Sequence, residues 1–391
     1  MSIASGSPLS EPATSSQFLK LGRTLWSWEL CENCKNKTDC SNPECPTQLQ
    51  NRLSAFFKFY QNIVRKYLLS SAHSRQPALT THEDVLNLIM VIRNNTDLSK
   101  VSVANLAFPG TGEETSPISA MEQERATNLV AKVMAMTTCT SYEESLLLLE
   151  HGLNRKSWQA AASFSEFIVQ TFPAGNSGNS IPANIKKALS AKKLKRIGLQ
   201  IVPTEDLSSH LKLDRRERTV HFFHHAGFLK ENLRVTRSYE SNLSASGCLK
   251  LGCIPRQLAL EALDTIQNIL FPLDDAKSYS LLSSLISSAS LDPECQDIPS
   301  TLHRSAEEAE GEPEYLYFGD RLAELYEEVC EPSPGSPLGR WIDRRKGTRH
   351  IMLATLTGIV FAIVLGILTL GVSGYQAWLG YQQWQHPKES K

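Results

Sequence analysis

The sequence predicts a mainly α-helical protein: a helical cytosolic region with a small β element around residues 199–225, followed by one C-terminal transmembrane helix. Three observations carry that prediction. Apolar residues recur at helical spacing through most segments of the chain. Two short runs near the middle, "LQIVPT" and "RTVHFFHH", are rich instead in β-branched and aromatic residues, as strands are. Residues 351–374 read "IMLATLTGIVFAIVLGILTLGVSG", without a single charge.

Residues 1–17 are rich in Ser, Pro and Ala and are expected as a disordered tail. They show neither a basic n-region nor an apolar h-region, so no secretory signal peptide is expected. Residues 18–172 form an N-terminal helical part. Within 53–69, Leu53, Phe56, Phe57, Tyr60, Val64, Tyr67 and Leu68 fall on one face. Within 80–93, Thr80 and Glu83 have capping-box spacing ahead of Val85, Leu88, Ile89 and Ile92. Ser119 with Glu122, and Ser141 with Glu144, repeat that spacing and predict helices to about Met136 and Glu150. A further helix is expected from Arg155 to Thr171, ahead of Pro173.

The loop 173–182, "PAGNSGNSIP", separates this part from a mixed, mainly helical part at 183–330. There "IPANIKKALSAKKLKRIG" reads as a basic helix ending at Gly198, and the two strand-like runs follow. Pro255 suits a helix's first turn, and Leu258, Ala262, Ile266, Ile269 and Leu270 continue that helix to Pro272. A short helix is expected over Ser278–Ser287, then a polar loop over 290–314. The last soluble helix, 316–330, turns Phe318, Leu322, Leu325, Tyr326 and Val329 inward. A Pro-rich linker (331–339), a basic juxtamembrane segment (340–350), the span (351–374) and an aromatic and polar tail (375–391) complete the chain.

A helix needs about 20 apolar residues to cross a bilayer core of roughly 30 Å, so the partner that 351–374 predicts is the lipid bilayer. Arg344, Arg345, Lys346 and Arg349 flank it on one side, and Tyr375, Trp378, Tyr381 and Trp384 on the other. Basic residues mark the cytosolic flank and aromatic rings prefer the interface. The orientation expected is a cytosolic N-terminal region with a short tail across the membrane, a tail-anchored, single-pass pattern. Ala354, Gly358, Ala362 and Gly366 recur every fourth residue on one helix face. Such stripes let membrane helices associate with a second copy, although Gly and Ala are common in spans anyway. From Arg304 to Glu331 ten acids face two bases, whereas from Arg340 to Arg349 five bases face one acid. An anionic leaflet would attract the second block and repel the first. Asn36, Asn94 and Asn242 each begin a glycosylation sequon, and a glycan on any of them would reverse the orientation.

Net charge is −1, so bulk charge predicts no nucleic-acid partner. The stretch "CENCKNKTDCSNPEC" holds Cys31, Cys34, Cys40 and Cys45, four of nine cysteines. Four thiolates suit tetrahedral zinc. Yet the middle spacer is five residues, where four-ligand sites usually place about 12–20. In a reducing cytosol disulfides are the weakest alternative, which leaves zinc or unligated thiols. On a strand His221 and His225 point one way and His224 the other, which suits structural histidines. Lys186, Lys187, Lys192, Lys193, Lys195 and Arg196 form a run without acids; it suits a solvated helix face, an anionic lipid surface or nuclear import. No phosphate-loop, dinucleotide, nucleophile-elbow or zincin motif is present, so no catalytic residue is assigned. The function expected is membrane anchoring of a cytosolic protein-interaction region, the alternatives being a membrane-bound enzyme or a membrane-tethered zinc module.

Three segments together, "TEDLSSHLKLDRRERTVHFFHHAGFLKENLRVT", "LGCIPRQLALEALDTIQNILFPLDDAKSYSLLSSL" and "YFGDRLAELYEEV" with the C-terminal "YQQWQHP", resemble a group of filamentous-fungal membrane proteins of no established activity. The resemblance covers roughly 185–387. It implies a fungal source, a helical cytosolic region and one C-terminal span, and it brings no activity.

Overall fold

A computed structural model describes residues 8–31, 45–72, 74, 76–109, 118–139, 157–175, 183–239, 243–296, 314–332 and 349–385. The first helix, α1 (Ser15–Trp26), is set by a capping box: the Thr14 hydroxyl accepts from Gln17 N, and the Gln17 side chain accepts from Thr14 N. Ordered structure already begins within the expected tail. Pro8–Ser10 make one 3-10 turn, Leu9 and Ala13 are buried, and Leu9 N donates to Thr80 O at 2.9 Å. Leu9 has an apolar core to enter, which composition alone does not show.

Helices α2 (Pro46–Arg52), α3 (Ser54–Ser70), α4 (His82–Asn94), α5 (Lys100–Ala107), α6 (Ala120–Ala135) and α7 (Phe164–Thr171) follow. The periodicity of 53–69 predicts α3 to within a residue. Phe59 and Ile63 are buried beside the expected face, so the buried stripe of α3 is wider than the periodicity predicts. The cap of α4 lies one residue beyond the expected pair: Thr81 and Asp84 form the box, while Thr80 donates to the same Asp84 carboxylate. Ser119 caps α6 by accepting from Glu122 N. The Glu122 carboxylate does not close the box. It turns inward, accepting from Ser71 Oγ at 2.9 Å and from Arg125 at 2.7 Å. The helix expected from Arg155 begins only at Phe164, because Ser163 and Glu166 form a capping box there. The Ser141–Glu144 pair lies outside the described residues.

The basic segment is two short helices, α8 (Ala183–Ala188) and α9 (Ala191–Arg196), not one. The break falls at Ser190, whose extended backbone is held by a side-chain bond to Asp275 Oδ2 at 3.0 Å. Gly198, at φ 85°, then turns the chain into the sheet. Strands β1 (Gln200–Thr204), β2 (Leu213–Asp214) and β3 (Thr219–Phe223) form a mixed sheet in the order β1-β3-β2. β1 runs parallel to β3 with Ile201 opposite Val220, and β2 antiparallel. Val220 and Phe222 point into the core while Thr219 and His221 are half-buried, the alternation a half-covered sheet requires.

Among the described residues, five further α-helices follow: α10 (Ala226–Thr236), α11 (Ala245–Lys250), α12 (Arg256–Asp264), α13 (Ala276–Ala289) and α14 (Gly319–Cys330). α12 runs on through a π-helical turn, Thr265–Leu270, as the expected helix to Pro272 does. The core is continuous across the loop expected as a boundary. Phe56 of α3 stacks on Phe228 of α10 at 5.6 Å, and Trp26 of α1 meets the same ring at 6.2 Å. Each such buried ring contributes about 1.5–3 kcal/mol of transfer free energy. Met1–Pro332 therefore form one compact unit and Ser333–Lys391 a second.

In the second unit, α15 (Arg349–Gln385) runs without interruption through both the expected span and most of the expected tail. The tail's aromatic residues thus continue the helix.

Candidate functional site

α15 contains a stretch, Thr355–Gln382, long and apolar enough to cross a membrane, and none of it is buried within the protein. A core helix of this hydrophobicity would be covered by neighbours. Tyr375 and Trp378 stack at 6.1 Å, and Tyr381 and Trp384 lie 6.5 Å apart, all four exposed on the C-terminal turns. A Cβ added at Gly358 or Gly366 would meet nothing within 4 Å. Both glycines thus leave open space on their face of α15, with Ala362 between them in the chain. On the other flank Arg349 begins the helix, whereas Arg344, Arg345 and Lys346 lie outside the described residues.

Cys45 is buried at the N-cap of α2 and Cys31 is half-buried. Cys34 and Cys40 lie outside the described residues. Among the described residues no group of three or more His, Cys, Asp or Glu side chains is placed to hold a metal ion.

The strand expected over "RTVHFFHH" ends at Phe223, so His224 and His225 leave the sheet and lead into α10. Their ring centroids lie 4.2 Å apart at a tilt of 30°, and His225 is wedged against Phe59 and Phe223. Burial pushes His224 down to about 4 and His225 well below the usual imidazole range, so both are neutral at pH 7. A ring covered on three sides is placed for packing, not for contact with a substrate. Beside it, Asp292 Oδ2 accepts from Gly227 N at 2.8 Å, and burial raises Asp292 to about 6. Lys230, 3% exposed, donates to Glu294 Oε2 at 2.9 Å, and Arg52 grips the same carboxylate with two nitrogens at 3.2 Å. Burial pushes Glu294 up, but these two cations outweigh it and leave its pKa below the usual range. The cluster ties α2 to α10.

His210 carries a structural role that the sequence did not reveal. Its Nδ1 accepts from Phe223 N at 3.0 Å, so the other nitrogen, Nε2, donates to Thr265 Oγ1 at 2.7 Å. Burial and the neighbouring Arg321 charge push it down to about 3. One side chain thus joins the sheet to the π-helical turn. Nothing in "SSHLKLD" marks that residue. Glu261 is comparable: its carboxylate accepts from Leu316 N, Tyr317 N and Phe318 N at 2.7, 2.8 and 2.9 Å. Those amides belong to the turn that leads into α14, Phe318 being its N-cap.

Among the clefts that the described residues line on the first unit, two gather cations. One, of about 410 Å³, is lined by Trp28, Arg93, Arg234 and Tyr239 among others. Its cations are already engaged. Arg93 donates to Lys250 O, Thr24 O and Ser27 Oγ, closing the ends of α11 and α1, and Arg234 pairs with Glu231 at 2.7 Å. The other, of about 480 Å³, lies between α9 and α13. It gathers Lys192, Lys195 and Arg196 from the basic run and adds Lys277 from α13. Lys186 instead sits over the Tyr315 ring at 5.7 Å, and Lys193 donates to Lys187 O.

No family model matches this chain, and neither curated proteins nor solved structures yield a significant relative.

Proposed function

We propose that this chain is a single-span membrane protein whose N-terminal unit faces the cytosol and engages other proteins there. The observation that supports membrane insertion is α15 itself: Thr355–Gln382 carries no charge, is strongly apolar on average and is entirely unburied. The basic residues before it and the aromatic residues after it support the orientation. Exposed Val101, Leu106, Met121 and Val169, on helices that otherwise pack into the core, support a protein-binding role for the first unit. Kinship with filamentous-fungal membrane proteins rests on the quoted segments alone.

Alkaline extraction and glycan mapping in cells test this together. The full chain should remain in the membrane pellet at high pH, and Asn94, exposed at the end of α4, should carry no glycan. Release into the supernatant would refute insertion, and a glycan on Asn94 would reverse the orientation. Proximity labelling from the N-terminal unit should then recover cytosolic proteins.

A further inference from the structure

The cleft between α9 and α13 is built from both helices. Leu194 and Leu282 anchor them in the core, Lys192 N donates to Ser278 Oγ at 3.0 Å, and Ser190 Oγ donates to Asp275 Oδ2. The rim carries Lys192, Lys195, Arg196 and Lys277, with the hydroxyls of Ser280 and Ser284 and the half-buried Leu281. Asp275 faces Lys192 at 3.7 Å, but it is also committed to capping α13. Lys195, Arg196 and Lys277 have no acidic partner among the described residues, and Asp274 is exposed and engages none of them. Three unpaired cations in a concave site focus positive potential, and Arg and Ser donors suit the oxygens of a phosphate.

We propose that this cleft binds the phosphomonoester headgroup of an anionic phospholipid in the membrane that α15 enters. The lipid assignment rests on the anchoring proposed above and on one independent feature. Leu273, in the turn leading into α13 and four residues before Lys277, is 66% exposed, more than any other large apolar side chain described in the first unit. A leucine beside a cationic cleft is arranged as peripheral membrane-binding surfaces are, with apolar insertion next to phosphate contact. Because the cleft and α15 belong to one chain, that contact is intramolecular. The sequence marked the basic run, but only the packing of α13 adds Lys277 and turns a charged helix face into a cleft.

The test uses the full chain in phosphatidylcholine nanodiscs, titrated by calorimetry with dioctanoyl phosphatidylinositol monophosphate, with inositol monophosphate and with inorganic phosphate. The lipid should bind at least tenfold more tightly than either soluble anion. Lys195→Gln/Arg196→Gln/Lys277→Gln should weaken lipid binding at least tenfold. The control Lys58→Gln/Arg65→Gln/Lys66→Gln, which removes the same charge from exposed positions on α3, should change it less than threefold. Leu273→Ser should weaken the lipid and leave inositol monophosphate unchanged. Equal losses in the two triple variants would reduce the effect to bulk charge and overturn the proposal. Inorganic phosphate or inositol monophosphate binding as tightly as the lipid would assign the cleft to a soluble anion and overturn it equally. Flotation of the full chain with phosphatidylcholine vesicles reads the anchor separately, so failure of α15 to insert is distinguished from failure of the cleft to bind.

Discussion

His225 lies 2% exposed, and neither ring nitrogen has a hydrogen-bond partner among the described residues. A buried polar group left in this way costs about 1–3 kcal/mol. His225→Phe should therefore raise the stability of the first unit by about that amount at pH 7, read as the denaturation midpoint. The pH dependence follows from the same burial. His210, His224 and His225 are all held below the ordinary value of 6.5. The folded state thus binds fewer protons than the unfolded one in that range, so their contribution is complete above 6.5 and is lost as pH falls. Glu261 and Asp292, raised by burial to about 7 and about 6, act in the opposite sense and lose stability as pH rises through those values. His225→Phe should flatten the acid limb and leave the alkaline limb unchanged; an unaltered acid limb would show that His225 is not among its causes. The pattern suits structural histidines at 221–225 but does not name their partners, because those of His225 come from residues as distant as Phe59.

At the scale of elements, caps and turns decide where helices stop. Glu261 fixes the turn that leads into α14 from a helix more than 50 residues earlier in the chain. Glu261→Gln replaces one acceptor oxygen by an amide that faces backbone N–H donors, and should cost about 1–3 kcal/mol in the same denaturation assay. Gly252 stands at φ 74°, and a Cβ there would fall 1.8 Å from Leu25 O. Gly252→Ala should destabilise the unit by ~3–5 kcal/mol, since neither backbone can yield without moving α1. Periodicity located α3, α12 and the strands because each buries a regular stripe. It missed the break at Ser190 and the start at Phe164, where one side-chain bond and a capping box overrule helical propensity. The acidic count before the membrane segment changes meaning in the same way. Arg218 holds Glu328 at 2.8 Å and Arg215 holds Glu324 at 2.8 Å, so part of that charge is spent fastening α14 to the sheet.

At the scale of the molecule, the two compact units predict separable behaviour. A chain ending at Pro332 should fold with the same unfolding midpoint and remain in the supernatant, while the full chain floats with lipid vesicles. Aggregation of the shortened chain would show that the first unit depends on the second. The sequence by itself determined the helical class, the small strand region and the apolar C-terminal helix, because these are properties of local periodicity and uninterrupted hydrophobicity. Only the tertiary structure decided that residues on either side of the 173–182 loop share one core, that His210 and Glu261 join distant elements, and that Lys277 completes a basic cleft. Those are contacts between residues far apart in the chain, set by how buried surfaces fit together, and no local pattern encodes them.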